Sequence, residues 1–385
     1  MNISRLSLGV ALFLAAGFIA GARKPQATVY EFEREMPLFL DSIQASLTYP
    51  LAWRNDTTGD FEQWRRTARA KIFECMLEPP TAAAEPALEL VAEERRDGYT
   101  ARKYMANISA WSRAAIYVLM PDGPGPHPAV VALHDHGGHY SIGKEKMIRP
   151  FACDSAVVKD ADAWAAQCYG GRYFGDYLAS RGYAVISHDA LLWGERGRRE
   201  GPDGRALERI AGNFLMLGRS LSGFMTYDDI AVTEILASLL GIDPQRIGAV
   251  GFSMGAYRSW MLAALSDRIK AQASVCWMTT TADQLSWAHG REKGGHINLL
   301  PGLRRWLDYP DIASLSAPRA AYFINGASDK LFHPDGVAAA YGVMRDVYRS
   351  QGAADKFRGE IWPMPHDCGI AVQDSVAAFF DRELR

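Results

Sequence analysis

The sequence has little cysteine and almost no excess of either charge. Its five cysteines are spread over 385 residues, and no two form a C-x-x-C pair, which argues against a zinc or redox site built from cysteine. The 42 Lys and Arg residues nearly balance the 44 Asp and Glu residues, giving a formal net charge of −2. Basic runs are short, as at residues 196–199, and lie near acids, so no nucleic-acid partner is expected.

An odd number of cysteines leaves at least one thiol without a partner. Cys153 and Cys168 fall in one predicted insertion and could pair in an oxidising compartment. Cys276 lies in an apolar run and is interpreted as a small buried hydrophobic residue.

Long apolar runs are also missing, with one exception at the start of the chain. A short basic beginning is followed by the apolar residues 6–20 and then by small residues at 20–22. This layout is typical of a secretory signal peptide, and the run is short for a membrane span. The sequence therefore predicts a secreted or periplasmic protein, with an uncleaved membrane anchor as the alternative and no stable membrane span after cleavage.

The chain is long enough for one large core with additions, and 48% of its residues are hydrophobic. After the signal peptide at residues 1–22, residues 23–84 show helical spacing with many aromatics and are predicted to form a helical N-terminal extension. Asp60 is a candidate cap for a helix in this extension. Residues 85–385 are predicted to form the catalytic domain.

Strands and helices alternate through this domain, after a hairpin signal at Asp97-Gly98 and a fully apolar strand at residues 129–133. Such alternation predicts the α/β class, with a mostly parallel central sheet covered by helices and an antiparallel start. Residues 140–172 and 191–222 have no clear period. They are predicted to be irregular, cap-like insertions that wall the active site.

Residues 251–255 read Gly-Phe-Ser-Met-Gly, a G-x-S-x-G motif between a strand-like and a helix-like run. This context is typical of a nucleophile elbow, where a sharp turn exposes the serine hydroxyl at the end of the sheet. Ser253 is therefore the candidate nucleophile.

A serine hydroxyl needs a base to activate it, and the base needs an orienting carboxylate. Asp329 follows an apolar strand and His366 precedes the last helix, which gives the order Ser, acid, His of the α/β-hydrolases. Asp335 and Asp367 are rival carboxylates, and Asp367 is less suited because it adjoins His366 in sequence.

The developing oxyanion needs two N–H donors. One is expected from Met254, after the nucleophile, and the other from Gly137 or Gly138 in the loop after the early apolar strand. The alternative for this loop is a metal site. Its candidate ligands would be His134, Asp135, His136 and His139.

Several of these motifs together resemble the dienelactone-hydrolase-like and acetyl-xylan-esterase-like branch of the α/β-hydrolases, over about residues 85–385. The motifs are at residues 134–138, 143–146, 189–196, 243–248, 251–255 and 326–329. Dienelactone hydrolases proper carry cysteine at the elbow, so Ser253 favours ordinary ester hydrolysis. The resemblance implies acyl-ester cleavage, often of acetylated carbohydrates, without a cofactor.

Polar and aromatic residues near the predicted site have two interpretations. His136, Asp189, Trp193 and Glu195 either support the cap segments or touch substrate, and for Asp189 and Glu195 the structural role is favoured. Tryptophans could supply a sugar-stacking platform, although most tryptophans simply fill cores. The candidates are Trp193, Trp277, Trp287 and Trp306.

The sequence therefore predicts a serine esterase with a Ser253–His366–Asp329 triad, acting on a small-molecule or carbohydrate ester without metal or other cofactor. One alternative is a serine peptidase of the prolyl-oligopeptidase type, although about 85 residues of helix ahead of the catalytic domain cannot form the propeller usual there. The other is a hydrolase fold that serves as a non-catalytic binding protein.

Overall fold

A computed structural model of the protein describes residues 31–33, 36–203, 205–286 and 295–385. The predicted signal peptide, residues 1–22, and Trp287 lie outside these ranges. In the described residues, every helix is too short or too polar to span a bilayer. The described residues up to Asp41 belong to a small unit of their own, in which strand β1 (Phe32–Glu33) pairs antiparallel with β2 (Met36–Pro37).

Residues Ser42–Arg385 form the main unit, which is built around one mixed sheet. Its strands are β3 (Glu89–Arg96), β4 (Tyr99–Ser109), β5 (Ser112–Pro121), β6 (His127–Leu133), β7 (Ala184–His188), β8 (Ile242–Phe252), β9 (Ile269–Val275), β10 (Ala320–Gly326) and β11 (Phe357–Trp362). They lie in the order β11-β10-β9-β8-β6-β7-β5-β4-β3. Strands β6 to β11 pair in parallel, and β3, β4 and β5 are antiparallel. The predicted antiparallel start and parallel remainder are confirmed.

Helices cover both faces of the sheet. The helices of the described residues are α1 (Leu40–Ala45), α2 (Phe61–Met76), α3 (Ser155–Cys168), α4 (Phe174–Ser180), α5 (Ala206–Met216), α6 (Leu221–Ser238), α7 (Met254–Leu265), α8 (Thr281–Gln284), α9 (Tyr309–Ala313), α10 (Pro334–Ser350) and α11 (Ile370–Leu384). Strand β6 shows why its sequence is apolar throughout. Val130 packs with α4 and α11 on one face, whereas its neighbour Val131 packs with α6 on the other. A strand buried on both faces has no position left for a polar side chain.

Helix α2 lies in the segment predicted to form the helical N-terminal extension. The Asp60 side chain accepts hydrogen bonds from the N–H groups of Glu62 and Gln63, as expected of a helix cap. Ile72 and Met76 of α2 belong to the same hydrophobic cluster as Trp260 of α7. Arg69 of α2 also donates to the Ala264 oxygen of α7 at 2.7 Å, so α2 lies directly against the helix that follows the candidate nucleophile.

The two insertions are more regular than their sequences suggest. Helix α3 lies within residues 140–172, and α5 lies within residues 191–222. The α3 sequence mixes small, polar and apolar residues, but Ala161, Trp164 and Cys168 are buried at helical spacing. The prediction of irregular segments is therefore wrong for these stretches, although both remain insertions in the sheet.

Candidate active site

Ser253 lies on the turn between β8 and α7, with a φ of 54° that is uncommon for a residue with a side chain. Glycines flank this turn because a side chain at either position would have no space. A Cβ on Gly251 would lie 2.1 Å from the carbonyl group of Gly255, and a Cβ on Gly255 would lie 1.9 Å from the Leu133 oxygen. The Ser253 N–H donates to the Val275 oxygen at 2.8 Å. The turn therefore has the strand-to-helix geometry of a nucleophile elbow.

His366 and Asp329 meet at the same edge of the sheet, on the loops after β11 and β10. The Asp329 side chain is fully buried, and its Oδ2 lies 2.7 Å from His366 Nδ1. Asp329 Oδ1 accepts from the Leu331 N–H at 2.8 Å, which fixes the carboxylate. The His366 ring packs against Phe252, with ring centroids 4.8 Å apart. The contact to Nδ1 leaves Nε2 as the nitrogen available for proton transfer.

The rival carboxylates are engaged elsewhere. Asp335 lies at the start of α10, with its Oδ2 3.7 Å from His333 Nδ1. Asp367 follows His366, and its carboxylate accepts hydrogen bonds from the main-chain N–H groups of Cys368 and Gly369. Asp329 is thus the carboxylate that the structure brings to the imidazole of His366.

A cavity of about 490 Å³ opens beside Ser253 and His366. Its remaining lining is largely apolar and includes Trp164, Leu207, Met254, Trp277, Ile297, Leu331 and Phe332. Among the described residues, no Lys or Arg lines this cavity. Apolar side chains therefore form most of the described wall of this cavity.

The loop after β6 reaches the cavity through His136 and Gly137. Gly137 and Gly138 have φ values of 55° and 69°, which glycine adopts readily. The Gly138 N–H points to His136 Nδ1 at 3.2 Å. Burial, and then the charge of Lys146, lower the pKa of His136, so this imidazole is neutral and accepts the hydrogen bond. With Gly138 engaged, Gly137 is the glycine of this loop that lines the cavity.

The histidines of this loop do not converge as metal ligands. His134 is buried, with Nδ1 facing the Asp135 oxygen and Nε2 accepting from the Ala190 N–H. His139 instead contacts Asp160, with Nδ1 2.6 Å from Oδ1. Each of these imidazoles is therefore occupied by its own hydrogen bonds.

Another possible ligand group lies behind His366. Atoms of Cys276, Asp329 and His366 that could bind a metal lie within 4.8 Å of one another. Burial raises the pKa of the Cys276 thiol far above its usual value, and metals bind the thiolate. The group is therefore better described as an Asp–His pair beside a neutral thiol. The five cysteines are free thiols, Cys153 and Cys168 included.

Asp189 and Glu195 bind lysines at the base of the insertions. Asp189 Oδ2 accepts from Lys144 Nζ at 2.9 Å and from the Glu195 N–H at 3.0 Å. Glu195 in turn contacts Lys144 and Lys103, each at 2.8 Å. Burial opposes the Lys144 charge, but Asp189 and the other carboxylates outweigh it and raise the pKa of Lys144 well above its usual value. This cluster joins the segments that follow β6 and β7.

The candidate tryptophans occupy different environments. Trp277 lines the cavity. Trp193 is fully buried, and its Nε1–H donates to the His136 oxygen at 3.0 Å. Trp306 lies under Lys71, whose Nζ is 4.5 Å from the ring centroid. Of these three, Trp277 is the one placed to stack on a ligand in the cavity.

Sequence reasoning missed a buried polar network under the elbow. Arg258 of α7 donates to both oxygens of Asp229, at 3.0 and 2.6 Å, and His188 Nε2 lies 2.7 Å from the same carboxylate. Burial opposes the Asp229 charge, but Arg258 and then His188 lower its pKa below the usual value. These residues are far apart in sequence, and none belongs to a motif, so the sequence carries no signal for their contact.

Replacing Arg258 with methionine is expected to lower the free energy of unfolding by about 3–5 kcal/mol, because Asp229 would be left charged and buried without its cation. Urea unfolding followed by circular dichroism measures this loss. A second variant that also changes Asp229 to asparagine should recover part of it. A loss below about 1 kcal/mol, of the size usual for surface changes, would contradict the expected role.

The strand order, the elbow after β8 at Ser253 and the Asp–His pair on the loops after β10 and β11 define an α/β-hydrolase. Residues 41–355 match the family model described as the Abhydrolase family, and the chain belongs to that family. The predicted superfamily and fold class are confirmed.

Known proteins of similar sequence and structure agree with this assignment. The chain is 30% identical over 295 residues to "Putative hydrolase YtaP" of Bacillus subtilis (strain 168), covering 76% of this chain and 91% of that protein. A "putative acetyl xylan esterase" from Bacteroides fragilis NCTC 9343 superposes with a TM-score of 0.67 at 20% identity, over 87% of this chain and 84% of that one. The glucuronoyl esterase from Solibacter usitatus superposes with a TM-score of 0.60 at 14% identity, over 84% of this chain and 93% of that one. At these identities the solved structures share the fold.

Proposed function

We propose that the protein is a serine carboxylic-ester hydrolase. The observation that carries this proposal is the convergence of Ser253 and His366 on one cavity, with His366 held by buried Asp329. A serine on an elbow, a histidine and an orienting carboxylate are the groups that acyl transfer requires. The names of the similar proteins, a hydrolase and two carbohydrate esterases, support the same reaction class.

In the acylation step, Ser253 Oγ attacks the ester carbonyl carbon while His366 Nε2 takes the hydroxyl proton. The carbonyl electron pair moves to oxygen, and the resulting oxyanion accepts hydrogen bonds from the N–H groups of Met254 and Gly137. Met254 is the first residue of α7, so its N–H has no acceptor within the helix. When the carbonyl re-forms, the alcohol leaves with the proton of His366.

In the second step, His366 takes a proton from water as the water oxygen attacks the acyl-enzyme, and Ser253 leaves with that proton. Asp329 holds the imidazole with Nδ1 protonated and stabilises the imidazolium that forms in both steps. Neither step uses a metal or a cofactor.

The cavity favours a neutral acyl group of modest size. Its walls are mainly aromatic and aliphatic, and they present neither Lys nor Arg among the described residues. An acetylated or otherwise esterified carbohydrate fits this environment, with the acyl group inside and the sugar toward the opening. Trp277 offers a ring against which a sugar could stack.

Comparing esters with an amide tests the proposal. The protein should hydrolyse p-nitrophenyl acetate and butyrate, leave a peptide p-nitroanilide essentially uncut, and react covalently with a fluorophosphonate probe. Faster cleavage of the anilide would identify a peptidase. Folded protein that cleaves none of these substrates and does not take up the probe would be a binding protein on a hydrolase fold.

A further inference from the structure

The His136 carbonyl is held by two buried donors. Lys146 Nζ donates to the His136 oxygen at 2.8 Å, and Trp193 Nε1–H donates to the same oxygen at 3.0 Å. Both side chains are fully buried, and neither lines the cavity. The carbonyl of His136 therefore points into the protein, away from the substrate space.

The direction of this carbonyl fixes the direction of the next N–H. The peptide bond between His136 and Gly137 is trans, since the cis bonds among the described residues precede Pro126 and Pro318. In a trans peptide the C=O and the following N–H point in opposite directions. Because the His136 oxygen points inward, the Gly137 N–H points outward, and Gly137 lines the cavity.

Lys146 also brings a charge to this peptide. Its Nζ lies 3.2 Å from the Asp135 oxygen and 3.6 Å from Asp135 Oδ1, which is otherwise without a hydrogen-bond partner. Burial lowers the pKa of Lys146, and Asp135 acts against that shift. A cation on the oxygen side of an amide polarises it and strengthens the N–H as a donor, most of all where water is excluded.

We infer that Lys146 is a positioning residue for ester hydrolysis: it orients and polarises the His136–Gly137 peptide so that the Gly137 N–H stabilises the oxyanion. Trp193 acts on the same carbonyl as a neutral second donor. This inference rests on the proposed esterase function and assigns a role to one lysine of the motif at residues 143–146. Lys146 itself touches neither substrate nor the reacting atoms.

Replacing Lys146 with methionine should lower kcat for p-nitrophenyl acetate by about 10- to 100-fold, somewhat less than the loss of a whole oxyanion donor. KM should hardly change, because the interaction strengthens only in the transition state. Replacement with glutamine, which keeps a neutral donor, should recover part of kcat. Trp193→Phe removes the second donor and keeps the ring, so it should also lower kcat.

Inhibition by an aliphatic trifluoromethyl ketone distinguishes a positioning role of Lys146 from a merely structural one. Ser253 Oγ adds to its carbonyl carbon, the serine proton passes to His366, and the carbonyl oxygen becomes an oxyanion. The inhibition constant of this ketone should rise in Lys146→Met by the same factor as kcat/KM falls. In a variant that is only partly folded, the amount of active enzyme falls but the inhibition constant does not change.

Arg319→Met is the matched control. Arg319 is another largely buried cation that donates to main-chain oxygens, those of Ala263, Ser266 and Ile269, but it lies at the far end of α7 from Ser253. This variant should lose stability and keep the kcat per active site and the inhibition constant of the parent.

The outcomes separate the inference from the proposed function. If the parent protein neither hydrolyses the ester nor binds the ketone, the proposed function itself fails. If the parent does both, and Lys146→Met keeps the parental kcat and inhibition constant, only the inference fails. If Lys146→Met does not fold, Trp193→Phe decides, and an unchanged kcat and inhibition constant there would overturn the inference.

Discussion

Replacing Ser253 with alanine is expected to lower the kcat for p-nitrophenyl acetate by about 10⁴- to 10⁶-fold, the range seen when the nucleophile of a catalytic triad is removed. The hydroxyl at the elbow forms the covalent bond to the acyl group, and no other described hydroxyl lines the cavity. Alanine is smaller than serine and keeps the backbone turn, so the fold should survive. The rate of p-nitrophenol release and the loss of fluorophosphonate labelling measure the effect together.

Ser259→Ala is the matched control for that change. Ser259 lies on the same helix, α7, and its hydroxyl donates to the Ala273 oxygen at 3.2 Å within the core. Its removal should cost about 1 kcal/mol of stability and leave labelling and turnover per folded molecule intact. Hydrolysis by folded Ser253→Ala at more than about one hundredth of the parental kcat would show that another group is the nucleophile.

Changing Asp329 to asparagine is expected to lower kcat by about 10⁴-fold while the shape of the site is kept. The carboxylate accepts from His366 Nδ1–H at 2.7 Å, and an amide NH₂ turned to the same nitrogen would force the proton onto Nε2. In that tautomer the imidazole cannot take the proton of Ser253. Stopped assays over hours can follow a loss of this size. The parent protein is diluted until its rate matches that of the variant, so that both are measured under the same conditions.

The rival carboxylate Asp335 is the control for Asp329. Asp335→Asn removes a negative charge from the sequence just after Asp329, but its side chain lies toward His333, outside the cavity lining. We expect activity near the parental level. The assignment would be wrong if Asp335→Asn lost activity and Asp329→Asn retained it.

Local sequence signals predicted the sheet and the elbow well. The run before Ser253 is apolar and the helix after it is mostly so, and the glycines at 251 and 255 are required because a Cβ there would lie about 2 Å from backbone atoms. The pairing of Asp329 with His366 followed from chain order. Their catalytic roles, and the signal peptide at residues 1–22, stay predictions.

The elements that sequence reasoning missed depend on contacts rather than on local pattern. Strand β11 pairs on one side only, at the edge of the sheet, so it alternates charged Arg358 and Glu360 with apolar residues and shows no apolar run. Arg258 looks like an ordinary charged residue in the sequence, and the motif at residues 143–146 contains Lys146 without indicating what it contacts. Their partners lie on other elements, and their burial is visible only once the sheet has brought those elements together.

The cluster of Lys144, Asp189 and Glu195 limits how the insertions can be exchanged to alter the substrate range. Lys144 belongs to one insertion and Glu195 to the other, and both are anchored on Asp189 at the end of β7. A chimaera that takes one insertion from a relative without the other would leave a buried charge without its partner. Chimaeras of this protein should therefore exchange both insertions and Asp189 together.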